Sequence, residues 1–142
     1  MKVGEGMAKE NCVILIYQEY ESLNLLFKSI LTSKGYSDVY SIDKLSHFKV
    51  MQHTYEPDLI LFEVDFERQY EALNELLADP MYASIKEKVI CVIGYGNNHM
   101  QLSVNALGLH YVLTKPFDIN NLLMIVERRL ETNVMDLCTF YG

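Results

Sequence analysis

Cysteine is scarce in this chain, and positive charge is outnumbered. The three cysteines, Cys12, Cys91 and Cys138, are odd in number and widely spaced. They offer neither a disulfide frame nor a metal-ligand set. Cys12 and Cys91 lie beside or within apolar runs, as small core residues of a reducing compartment do. Lys and Arg total 12 against 19 Asp and Glu, a formal net charge of −7, and no basic cluster occurs. That balance argues against a nucleic-acid surface. No apolar run approaches membrane-spanning length, and no signal peptide is apparent. Repeats and low-complexity segments are missing too. His47, His53, His99 and His110 show no ligand spacing. Gly94-Tyr95-Gly96 lacks the Lys-Ser/Thr that follows a phosphate loop. The expectation is a cytoplasmic, acidic chain that faces other proteins.

The 142 residues fit one domain, and 50% hydrophobic residues suffice for one ordinary core. The chain is organised around Pro57 to Asp65, a turn, an apolar run and an acid at its end. Leu59 to Phe62 show no alternation, so both faces are expected to be buried, as in a central parallel strand. Asn11 to Tyr17 and Val89 to Ile93 read the same way. Asp38 to Ile42 and Tyr111 to Leu113 are shorter strand candidates. Between them lie helical patterns. Leu23, Leu26, Phe27, Ile30 and Leu31 fall on one helix face, closed by Gly35. Leu45, Phe48 and Met51 mark a weaker helix over 44–53. Tyr70, Leu73, Leu76 and Leu77 mark another over 68–78, and Asp79-Pro80 stops it. Gln101 to Leu107 form a short helix ended by Gly108. Asp118 is placed to cap a long final helix carrying Ile119, Leu122, Leu123, Val126 and Leu130. Five strands alternating with five helices predict an α/β, flavodoxin-like (βα)5 three-layer sandwich. Its parallel five-stranded sheet has the order 2-1-3-4-5. Residues 1–10 are expected to be a flexible tail, 11–131 the domain, and 132–142 a C-terminal tail or helix extension. That last segment is apolar enough to fold back or to join a homodimer.

Ligand sites in open α/β folds lie at the C-terminal strand ends. There the sequence places Gln18-Glu19, Glu63, Ile93-Gly94 and Lys115. Asp65, two residues past Glu63, reads as a solvated loop acid. An ammonium beside carboxylates keeps them ionised, and converging carboxylates favour a hard cation.

At these residues the chain resembles the receiver domains of two-component response regulators. The resemblance runs from about Asn11 to Glu131. Its most specific segment is Ala106 to Phe117, ending Thr114-Lys115-Pro116-Phe117, supported by Pro57 to Glu63 and Val13 to Leu26. In that family a histidine kinase phosphorylates an aspartate, and an acidic pair and that aspartate hold Mg²⁺. A hydroxyl and the lysine bind the phosphoryl oxygens, and an aromatic side chain acts as the switch. Here only Lys115 is unchanged. The acidic pair is Gln18 and Glu19, and the acceptor position holds Glu63. At the family's intervals the hydroxyl position falls on Ile93 and the switch aromatic position on Val112. Glu19 and Glu63 remain as candidate metal ligands, so the cofactor expectation is none, or weakly bound Mg²⁺. The resemblance with these departures implies a pseudo-receiver. It would not be an enzyme and would work by protein–protein contact without phosphorylation. Its partner would be a signalling protein, a histidine kinase or an output protein, met through the helix 4, strand 5 and helix 5 face. The rival reading is a live phosphorelay receiver using Mg²⁺ at Glu19 and Glu63. A third is a flavin-binding module of the same topology.

Overall fold

Parallel strands need both faces covered, and this sheet is built from residues that allow nothing else. The structure is a computed structural model that describes the backbone of residues 8–141 and the side chains of residues 8–131. Five strands, β1 (Val13–Tyr17), β2 (Asp38–Ile42), β3 (Leu59–Glu63), β4 (Val89–Gly94) and β5 (Val112–Lys115), form one sheet in the order β2-β1-β3-β4-β5. Every neighbouring pair is parallel. The crossovers are α1 (Glu21–Ser33), α2 (Phe48–Tyr55), α3 (Glu67–Ala78) and α4 (Asn98–Ala106), with α5 (Ile119–Tyr141) closing the chain. This is the predicted topology.

Strand alternation splits the core in two. Leu15, Ile60, Phe62, Cys91 and Ile93 join Phe48, Leu73, Leu76, Met100 and Val104 on the side of α2, α3 and α4. Ile14, Ile16, Leu59, Leu61, Ile90 and Val92 join Phe27, Leu31, Leu122 and Val126 on the side of α1 and α5. All five residues of β3 are buried, which makes it the central strand. Cys12 and Cys91 are buried thiols, and burial pushes both up to about 12. The side chain of Cys138 lies outside the described residues.

Several boundaries differ from the sequence-based expectation. Residues 1–7 lie outside the described residues, but Lys9–Asn11 form a 3₁₀ turn, and Lys9 Nζ donates to the Lys34 carbonyl at 3.2 Å. Leu26 is 48% exposed and is not on the inner face of α1. Asn24 takes the buried place, because its amide donates to the Gln18 carbonyl at 2.6 Å. The second helix opens as a 3₁₀ turn, Leu45–His47, before α2. A further 3₁₀ turn, Ala83–Glu87, precedes β4. α4 begins at Asn98, not Gln101, because Asn97 Oδ1 accepts from Met100 N and caps it. β5 runs to Lys115, and Tyr111 lies just outside it. The Asp118 cap forms, with Asn121 N donating to Oδ1 at 2.7 Å. α5 carries helical backbone through the segment expected as tail or extension, whose side chains lie outside the described residues.

Candidate functional site

Glu63 ends β3 and Lys115 ends β5, and both strands deliver their last side chain to the same end of the sheet. Glu63 continues the alternation of Leu59 and Leu61, and Lys115 that of Leu113, so both start on the α1/α5 side. Glu63 is fully buried, and its Oε2 lies 3.1 Å from Lys115 Nζ. A second carboxylate joins them. Asp65 Oδ2 lies 2.5 Å from Lys115 Nζ, and Asp65 Oδ1 accepts from Gly94 N at 2.6 Å. Asp65 is only 19% exposed at its side chain, so the expectation of a solvated loop acid is corrected. Burial alone would lower the lysine's pKa. The Asp65 hydrogen bond and the charges of Glu63 and Asp65 outweigh that and hold it above its ordinary value.

Gln69 fastens this group from α3. Its Oε1 accepts from Asp65 N at 2.8 Å and from Phe66 N at 2.9 Å. Phe66 is the cap of α3 and Asp65 the residue before it, and Gln69, in the third helical position, reaches back to satisfy both N–H groups. Its Nε2 donates to Glu63 Oε1 at 2.7 Å and to the Tyr17 hydroxyl at 3.2 Å. Gln69 is fully buried, and the sequence reading missed it. A glutamine three residues past the loop is the one available signal. Tyr17 in turn donates to Glu19 Oε2, and Arg68 grips the two Glu19 oxygens with Nη1 and Nη2. The Arg68 bonds come first among the forces that hold the Glu19 carboxyl down at about 2. Burial and the bond to Glu19 push the Tyr17 phenol up. One continuous network thus runs from Arg68 through Glu19, Tyr17, Gln69, Glu63 and Lys115 to Asp65 and the Gly94 N–H.

The remaining sequence-based candidates stay outside the network. Gln18 is fully buried beside Glu19, and its Oε1 accepts from Tyr20 N at 3.2 Å. Ile93 is 1% exposed and packs in the α2–α4 side of the core. Val112 packs on that same side, while Tyr111 packs on the other against α5, where Arg129 lies over its ring at 4.4 Å. The residues present do not fit a hard cation. Glu19 is engaged by Arg68, both Glu63 oxygens have protein donors, and no group of three or more metal-type ligands comes together among the described residues.

No protein-family model and no curated protein matches the sequence. Solved structures do match it. NtrX from Brucella abortus superimposes with a TM-score of 0.77 at 20% identity over 89% of this chain, and this chain spans 28% of that one. The separate receiver domain of NtrX gives 0.72 at 21% identity, covering 84% of this chain and 98% of that one. A chemotaxis protein of the CheY type from Vibrio cholerae gives 0.69 at 18% identity over 84% and 98%. At these identities the likeness is one of fold. The chain has the flavodoxin-like architecture of those receiver proteins.

Proposed function

We propose that the chain is a receiver-like signalling domain that works by protein–protein contact and takes no phosphoryl group at Glu63. One observation carries this reading. Glu63 is fully buried, and each carboxylate oxygen already accepts a hydrogen bond, from Gln69 and from Lys115. Phosphoryl transfer to a carboxylate needs a free oxygen in line with the donor, and here positioning is most of catalysis. A buried, doubly bonded oxygen pair offers no such approach. Engagement of Glu19 by Arg68 supports the same reading, since it removes the acid that would help to hold Mg²⁺. The domain would then have no resident cofactor and no reaction of its own.

The partner is a signalling protein, a histidine kinase or an output protein, and the contact face is formed by α4, β5 and α5. That face exposes Leu102, Ile119 and Met124. A cleft between β5 and α5, lined by His110, Val112, Thr114, Asn121, Met124 and Arg128, runs beside it. Exposed apolar side chains near a polar rim are the usual composition of a contact site.

The test is to incubate the protein with acetyl phosphate and Mg²⁺ and record its intact mass. The expected result is an unchanged mass. An acid-labile gain of one phosphoryl group that disappears in Glu63→Ala would overturn the reading and favour a live receiver.

A further inference from the structure

The geometry points to Asp65 as the resident ligand of a small-oxyanion site, built by the Lys115 ammonium and the Gly94 N–H. The same contact holds the turn between β4 and α4 in place. Two donors converge on one carboxylate, a cation at 2.5 Å and a backbone N–H at 2.6 Å. That pair would serve any small carboxylate or phosphate-like oxyanion, because charge-assisted bonds of this kind are the strong ones. The carboxylate lies on the bare face of Gly94, where an added Cβ would sit 3.2 Å from Asp65 Oδ1. A side chain at this position would crowd that oxygen, and the glycine leaves the approach clear.

The arm that carries the carboxylate is itself held. Asp65 N donates to Gln69, and the Asp65 carbonyl accepts from Asn97 Nδ2 at 3.3 Å. Asn97 caps α4, and its N–H donates to the Gly94 carbonyl at 3.1 Å. Asp65 therefore joins the end of β3, the turn after β4 and the first turn of α4. Asp65 is carried on a short arm that is itself bonded, so a dissolved oxyanion must displace a tethered carboxylate before it can enter. The proposal rests on the phosphorylation-independent reading above, and it names what keeps the site closed and the α4 face fixed.

Sodium formate is the probe, followed by the amide signals of Gly94, Asn97 and Met100. In the natural chain these signals are expected to stay still as formate is added. In Asp65→Ala all three are expected to move, and formate is expected to return them saturably toward their original positions. A Gly94 signal unchanged in Asp65→Ala would overturn the proposal, as would formate shifting the natural chain as readily as the variant. Should Asp65→Ala not fold, the scalar coupling across the Gly94 N–H to Asp65 carboxylate bond in the natural chain decides. Its presence supports the proposal and its absence overturns it. Uptake of a phosphoryl group by the natural chain would defeat the functional reading. A missing Gly94 response in a chain that stays inert to acetyl phosphate defeats this proposal alone.

Discussion

A buried carboxylate persists only when something answers its charge, and Glu63 is answered by Lys115 and by Gln69. Removing the cation should therefore cost more than an ordinary surface change. Lys115→Met is expected to lose about 3–5 kcal/mol in urea unfolding, the usual penalty for breaking a buried pair. A second change, Glu63→Gln, should restore part of it. The pair also sets a pH response. Because the folded pKa of Lys115 is raised, its contribution is complete below the free lysine value of about 10.4 and fades as pH climbs through the higher folded value. Glu19 behaves in the opposite sense. Its contribution is complete above the ordinary carboxylate range and is lost as pH falls toward about 2. A carboxyl-carbon titration should show that midpoint, and Arg68→Ala should bring it back up toward about 4.3. Glu63 and Lys115 were legible in the sequence as strand-end residues. Asp65 was not. What turns it inward is the Gln69 grip on its N–H, for which the glutamine just past the loop is the one local signal, together with the Gly94 and Lys115 donors, which come from other strands and have no local signature.

At the scale of elements, strands buried on both faces leave continuous apolar runs, so β1, β3 and β4 were readable. Helix faces were less secure. The period-3.6 pattern of α1 includes Leu26, but the helix is rotated so that Asn24 can reach the Gln18 and Ile42 carbonyls at the end of the sheet. A hydrogen-bonding demand thus outranked one apolar side chain. Leu26→Ala is expected to change stability by less than about 0.5 kcal/mol, whereas Phe27→Ala should cost about 3–5 kcal/mol. Phe27 is fully buried and stacks on Phe117 at 4.9 Å. Equal effects in thermal or urea unfolding would place the helix face wrongly. The start of α4 was missed for a related reason. Gly94 to Asn98 has loop composition, and the Asn97 side chain, folded back on Met100 N, caps a helix that starts at its last residue.

At the scale of the whole molecule, alternation and length were enough to order the sheet, because right-handed crossovers leave few arrangements. The site was legible as a set of positions but not as a wired network. Arg68 and Gln69 enter it from the first turn of α3 and Tyr17 from the last position of β1, where their residue types look like solvent-facing or core residues. Among the described residues, no helix is long and apolar enough to cross a membrane. The proposed protein contact is consistent with Leu102, Ile119 and Met124 standing exposed on α4 and α5. The central claim is that the site is already filled by its own side chains and does not switch. Amide spectra recorded while adding Mg²⁺ and then beryllofluoride, a phosphoryl mimic, test it most directly. The account predicts a folded protein whose Glu19, Glu63, Gly94 and Lys115 signals stay still. Saturable shifts at those residues that spread into α4 and α5 would contradict it.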